Sequence, residues 1–145
     1  MTNHIAICLT SRGNYARTGT ILHALEDNPD MDLDIIVGGA SVVRKYGTLT
    51  EMLKADGLEV TNTFHNVIEG GKPISAAKTT GLSMMEFANE LNSLDPDAVI
   101  TIAARYETMA VTLAAPYLNL SVLHTQGGEL TGSIVVMARH ATTMM

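Results

Sequence analysis

Residues 98–103 read AVITIA, a run of small and β-branched side chains without a single charge. A strand with one face in water would alternate apolar and polar residues. This one does not, and it reads as a strand covered on both faces, as in the middle of a parallel sheet. It is bracketed by "DPD", 95–97, which stops the segment before it, and by "ARYETM", 104–109, which leads out of it.

Working outward, the same alternation recurs along the chain. Ile5 to Leu9 reads as a strand, followed by "TSRGN" and a helix from about Tyr15 to Asp27, whose Thr18, Ile21, Leu22 and Leu25 form one stripe. Leu33 to Val37 reads as a second strand ending in Gly38-Gly39. Thr48 and Glu51 have the spacing of a capping box opening a short helix, which Gly57 closes. Val60 to Phe64 is a weaker strand, and "NVIEGGKP", 66–73, is a loop by its glycines and proline. The longest helix runs from about Ser75 to Leu94. After the 98–103 strand come a helix from Glu107 to Leu118, a strand from Ser121 to Leu123 and a helical pattern from Ser133 to Met145. Strands spaced by helices of this length imply right-handed crossovers. The expected fold class is α/β: one Rossmann-like domain over 1–145, a parallel sheet with helices on both faces.

Bulk properties exclude several classes. The chain has 145 residues, 46% apolar and 17% charged, which is globular rather than disordered. Its net charge of −6 gives no electrostatic footprint for nucleic acid. No apolar run approaches the ~18 residues needed to span a bilayer. The N-terminus "MTNHIAICLTSRG" lacks the basic region and long apolar core of a signal peptide, so a cytoplasmic protein is expected. The lone Cys8 falls in an apolar strand and reads as a small buried hydrophobe, and the nine methionines read as core filler. His4, His23, His65, His124 and His140 show no ligand spacing, so no metal centre is expected. No G-x-G-x-x-G follows the first strand and no P-loop is present, so no nucleotide cofactor is expected either.

The polar residues point to one end of the sheet. In doubly wound sheets ligands bind outside the carboxyl ends of the strands, where strand order reverses. With strand order 3-2-1-4-5, that point lies between the first and fourth strands. Arg12 follows the first and Arg105 the fourth, each beside a helix N-terminus, a combination suited to phosphate or carboxylate. The fifth strand delivers "HTQGGELTG", 124–132, to the same rim. Together these predict a cleft for an anionic, nucleotide-like molecule, against the plain alternative of solvated loop arginines. His124 reads either as a structural hydrogen bonder or as a substrate contact.

"TSRGNYAR" (10–17), "ARYETM" (104–109), "HTQGGELTGSI" (124–134) and "RHA" (139–141) together resemble the hydrolysing UDP-N-acetylglucosamine 2-epimerases of sialic and legionaminic acid synthesis. The likeness extends in order and spacing through "YGTLTEMLKADG" (46–57) and "AKTTGLSMMEFANEL" (77–91). It implies one half of a glycosyltransferase-B-type fold, with a UDP-sugar such as UDP-N-acetylglucosamine held between two Rossmann-like halves. It also implies a reaction: elimination of UDP across C1 and C2, then addition of water to give the 2-epimer. By the same resemblance Arg12, Arg105, His124, Gln126, Gly127, Gly128, Arg139 and His140 fall at substrate-binding positions, and Glu129 at a catalytic one.

The departures from the family pattern concern its proton-handling groups. Ala104 stands where the family has an aspartate, Gln126 where many members have a glutamate, and Val135 and Val136 where an aspartate follows "GSI". Asn14 replaces a common aspartate. Losing a general acid or base costs about 10²–10⁴-fold in rate, so little or no turnover is expected of this chain alone. The family continues for more than another domain of this size. An apolar 133–145 helix is expected to be covered by a second domain or by a second copy of the chain, unless the chain is a truncated gene product. The alternative reading is a non-catalytic sugar-nucleotide binding module.

Overall fold

The computed structural model describes residues 2–103, 105–128 and 134–144. Strands β1 (Asn3–Leu9), β2 (Met31–Val37), β3 (Asn62–Thr63), β4 (Ala98–Ile102) and β5 (Ser121–Thr125) alternate with helices α1 (Arg12–Glu26), α2 (Leu49–Ala55), α3 (Pro73–Leu94), α4 (Tyr106–Tyr117) and α5 (Ile134–Met144). The strands form one sheet in the order β3-β2-β1-β4-β5, and every pairing is parallel. The expected strand order therefore holds, with its reversal between β1 and β4.

Successive side chains of a strand point to opposite faces, and β1 shows the result. Ile5, Ile7 and Leu9 join a cluster with Tyr15 and Leu22 of α1 and Leu49 and Leu53 of α2. Ala6 and Cys8 face the other way, into a cluster with Phe87 and Leu91 of α3 and Val111 and Ala115 of α4. Helices thus cover both faces, which is why the 98–103 run carries no alternation. Phe64 and Phe87 meet edge to face, ring centroids 4.8 Å apart, and join the β3 edge to α3. Burying a side chain of this size contributes about 1.5–3 kcal/mol. Tyr15 donates its hydroxyl to Asp56, which with burial pushes its pKa up to about 12 and ties α1 to the end of α2.

Local chemistry moves several boundaries. Helix α1 starts at Arg12, three residues before the expected start at Tyr15. Ser11 Oγ accepts from the Asn14 amide at 3.3 Å, and Asn14 Oδ1 accepts from the Ser11 amide at 3.0 Å, a reciprocal cap that the apolar pattern does not register. Arg12 is therefore held in the first turn of a helix rather than in a free loop. The capping box expected at Thr48 is not made: Thr48 Oγ1 is buried with no hydrogen-bond partner among the described residues. The far end of α2 does close as expected, the Leu58 amide reaching Leu53 O at 2.9 Å and Gly57 N reaching Lys54 O at 3.2 Å. Strand β3 shrinks to two residues. Strand β4 ends at Ile102, because Ala103 turns into the left-handed region with φ 58°. Gln126 does the same after β5, with φ 60°. A left-handed residue bends the chain sharply off the sheet edge, and outside glycine it costs about 1–2 kcal/mol. Both instances stand at the carboxyl edge of the sheet, and the candidate cleft opens beside the first of them.

Among the described residues no helix is long and apolar enough to cross a membrane, and no cluster of three metal-ligating side chains is present.

Candidate functional site

The carboxyl ends of β1, β2, β3 and β4 open onto one cleft of about 1110 Å³. Its wall comes from Ser11–Gly13 after β1, Ala40 and Ser41 after β2, Val67–Lys72 after β3, and Arg105 and Tyr106 after β4. Three helix N-termini converge there: those of α1, α3 and α4. Each presents amides that have no partner within the helix and the positive end of a helix dipole.

The side chains reinforce this field. Arg12, Lys45, Lys72 and Arg105 line the cleft, four of the nine lysines and arginines of a chain whose net charge is −6. Glu69 is the one carboxylate among the lining residues. The cleft is thus strongly cationic in an acidic protein, and bulk charge gives no hint of it. Neither Arg12, Lys45 nor Lys72 makes an ion pair among the described residues. Arg12 lies against the turn after β2, where a Cβ on Gly47 would sit 3.0 Å from its Nη1.

Arg105 is held differently. Its Nε and Nη2 donate to Glu107 Oε2 and Oε1 at 3.0 and 3.2 Å, a forked pair in which Glu107 is fully buried. Burial alone would lower the Arg105 pKa, but the bond to and charge of Glu107 outweigh it and raise the value, so the guanidinium stays charged. The Tyr106 ring lies 5.5 Å from the guanidinium carbon. Burial, and then the Glu107 charge, raise the Tyr106 pKa, so its hydroxyl is neutral at ordinary pH.

Buried amides behind the cleft fix the turns that line it. Asn66 is completely buried; its Oδ1 accepts from the Gly39 amide at 2.6 Å and its Nδ2 donates to Ser83 Oγ at 2.6 Å. One side chain thus joins the turn after β2, the segment after β3 and the body of α3. Gly39 has φ 64°, and a Cβ there would lie 2.8 Å from Thr10 O and 3.1 Å from Glu107 Oε1, so glycine is required. Asn14 is 3% exposed and spends its Oδ1 on the amides of Thr10 and Ser11. Its amide also reaches toward Ile102 O at 3.5 Å, a donation an aspartate could not make. Its place is therefore structural.

The structure brings Arg12 and Arg105 together, as the sequence implies, and puts the β5 residues elsewhere. His124 lies within β5 opposite Thr101, its Nδ1 3.1 Å from Thr101 Oγ1, rather than beyond the strand end. It is not among the residues lining the cleft. Burial, and then the charge of Arg139, lower its pKa below the ordinary 6.5. Arg139 is buried on α5, while His140 is exposed. Gln126 Oε1 accepts from Arg17 Nη1 at 2.9 Å. Gly127 faces α5 and β5: a Cβ there would meet Thr143 Oγ1 at 2.8 Å and His124 Cδ2 at 3.1 Å. Gly128 is exposed. Glu129 and Ala104 lie outside the described residues, as do the side chains of Val135 and Val136. Sequence reasoning missed Glu107, Lys45 and Lys72, and it read the Gly70-Gly71 segment as a loop without placing it in the cleft. Lys72-Pro73, where proline takes the first helical position of α3, was the available signal for the third helix N-terminus.

A parallel sheet in this order, with a cationic cleft at its reversal point, defines the class: a Rossmann-like domain, which the solved structures below carry as one half of a glycosyltransferase-B-like fold. Residues 23–145 match the family described as UDP-N-acetylglucosamine 2-epimerase, and the chain belongs to that family. It is 30% identical over 135 residues to the UDP-N,N'-diacetylbacillosamine 2-epimerase (hydrolyzing) of Legionella pneumophila, covering 93% of this chain and 36% of that protein. Against the UDP-N-acetylglucosamine 2-epimerase of Neisseria meningitidis serogroup B, identity is 25% over 140 residues, with 96% and 36% covered. Among solved structures, a UDP-N-acetylglucosamine 2-epimerase superposes with a TM-score of 0.84 at 18% identity, covering 99% of this chain and 40% of that one. The Neisseria meningitidis UDP-GlcNAc 2-epimerase bound to UDP-GlcNAc gives 0.81 at 16% identity, with 97% and 38% covered. The chain spans a little over a third of the length of the curated relatives it matches.

Proposed function

We propose that the cleft grips the diphosphate of a UDP-sugar, UDP-N-acetylglucosamine or a relative, as one half of the site of a hydrolysing 2-epimerase. The observation that carries this reading is the meeting of Arg12 and Arg105 over three helix N-termini in one cleft. Elimination of UDP places new negative charge on the departing diphosphate, and preorganised cationic donors stabilise charge where it develops. The family reaction, UDP-N-acetylglucosamine and water to N-acetylmannosamine and UDP, then needs a base for the C2 proton and a group to direct water. Glu129 is proposed as the carboxylate of that step, with His124, Gln126, Gly127, Gly128, Arg139 and His140 on the sugar side. The uridine and most sugar contacts would come from a second domain, or from a second copy of the chain meeting it through residues 133–145. A cytoplasmic location belongs to the same proposal.

A second reading, a sugar-nucleotide binding module without turnover, is favoured by Gln126. Its amide is neutral and is bonded to Arg17, which does not line the cleft. Calorimetric titration with UDP tests the shared part: binding that weakens in Arg105→Ala is expected, and no heat at millimolar UDP would sink both readings. Release of UDP from UDP-N-acetylglucosamine separates them. The expected result for this chain alone is no detectable release, and steady release dependent on Glu129 would exclude the binding-module reading.

A further inference from the structure

The Glu107 carboxylate poses a question that diphosphate binding does not answer. It is fully buried, at the start of α4 and two residues from Arg105. A buried carboxylate is costly unless paired, and leaving it in place beside the one cleft arginine that is half-buried neutralises charge where an anion is meant to bind. If attraction alone mattered, the pairing would be counterproductive.

The geometry gives it another purpose. A guanidinium has five N–H donors in a planar fork. Glu107 engages one on Nε and one on Nη2, along one edge. Among the described residues no second carboxylate engages Nη1 or the other donor of Nη2, which form the opposite edge of a side chain that lines the cleft. The fork is fixed in plane by two bonds, and the Tyr106 ring sits beside it at 5.5 Å. The carboxylate is itself fixed: Oε1 lies where the turn after β2 packs, 3.1 Å from the position a Cβ on Gly39 would take. That turn is locked in place by Asn66.

We infer that Glu107 is a positioning residue for the diphosphate subsite, holding the Arg105 guanidinium by one edge so that its other edge is preset for phosphate oxygens. The inference rests on the diphosphate reading above. It divides the labour between the two arginines. Arg12, with Lys45 and Lys72, supplies charge that is unpaired among the described residues; Arg105 supplies direction, and its charge is largely offset. An arginine already held in its bound orientation loses less rotamer freedom on binding, which is the advantage of a preorganised site.

The test uses the 145-residue chain with inorganic pyrophosphate and UDP as probes, in calorimetry, with thermal unfolding as the check on folding. Glu107→Gln keeps the volume but loses one acceptor and the charge. The expected result is about ten-fold weaker pyrophosphate binding. Simple charge removal would instead tighten binding, so the sign discriminates. In an Arg105→Ala background, Glu107→Gln should cause no further loss, whereas in an Arg12→Ala background the full ten-fold loss should remain. Glu107→Asp, which keeps the charge and withdraws the acceptors by one methylene, should also weaken binding and covers the case in which the glutamine variant does not fold. Unchanged or tighter binding by a folded Glu107 variant, where Arg105→Ala still weakens it, overturns the inference and leaves the diphosphate reading standing. Failure of the unaltered chain to bind either probe removes both.

Discussion

The cleft wall and the β5 rim are both built from glycine-bearing turns beside polar residues, yet they face different surroundings. On the wall, Gly70 and Gly71 line the same cleft as Arg12 and Arg105, just before the N-terminus of α3. On the rim, Gly127 turns toward Thr143 of α5, and Gln126 is bonded to Arg17 of α1. In sequence the rim is the more suggestive of the two, since it concentrates histidine, amide, glycines and carboxylate within six residues. In the structure it is the wall that collects the cations. Glycine pairs report close approach of backbone to something; they do not report whether that something is a ligand or another helix.

The wall can be broken most severely at Gly39. Gly39→Ala sets a Cβ 2.8 Å from Thr10 O in a left-handed conformation. The expected loss is about 2–4 kcal/mol of stability, read from denaturant unfolding, with weaker pyrophosphate binding through the displaced Glu107. Arg12→Ala leaves the fold intact and should weaken pyrophosphate binding by roughly ten- to a hundred-fold in calorimetry. Arg17→Ala, its counterpart on the rim, should leave that affinity unchanged; an equal loss would erase the distinction between the two regions. Gly127→Ala should cost about 1 kcal/mol in the same unfolding experiment, as Thr143 gives up its bond to Arg139 O, and should not alter pyrophosphate affinity.

The smallest effect is one of pH. The fold holds His124 below its ordinary pKa of 6.5, first by burial and then by the charge of Arg139, so the folded state favours the neutral ring. Its contribution to stability is complete above 6.5 and is lost as pH falls from there through the lower folded value. His124→Gln should remove this part of the acid limb, drawing the unfolding midpoints at about pH 8 and pH 5 closer together. A variant with the same spread as the unaltered chain would show that His124 is not what senses the change.

Much of this architecture was legible without coordinates. The uncharged run at 98–103 and the alternation around it implied a parallel sheet covered on both faces, and the usual 3-2-1-4-5 strand order then put Arg12 and Arg105 over one crevice. Helix ends were read less well. The Ser11–Asn14 cap is a reciprocal side-chain bond, and the same kind of pattern at Thr48 and Glu51 produced no bond at Thr48. The spacing is identical in kind; whether the hydroxyl turns inward to the helix amides depends on what packs around it.

The period of the apolar residues determined which segments are strands and which are helices, because periodicity is a local property that survives any packing, and the usual order of a doubly wound sheet then indicated the end where ligands collect. The direction in which individual polar groups point was decided only in the tertiary structure. Asn66 meets Gly39 across 27 residues, His124 meets Thr101 across 23, and Gln126 meets Arg17 across 109. Glu107 shows the same division at short range. It is two residues from Arg105 in sequence, but its carboxylate is fully buried where Gly39, from another turn, packs, with Oε1 3.1 Å from the position a Cβ there would take.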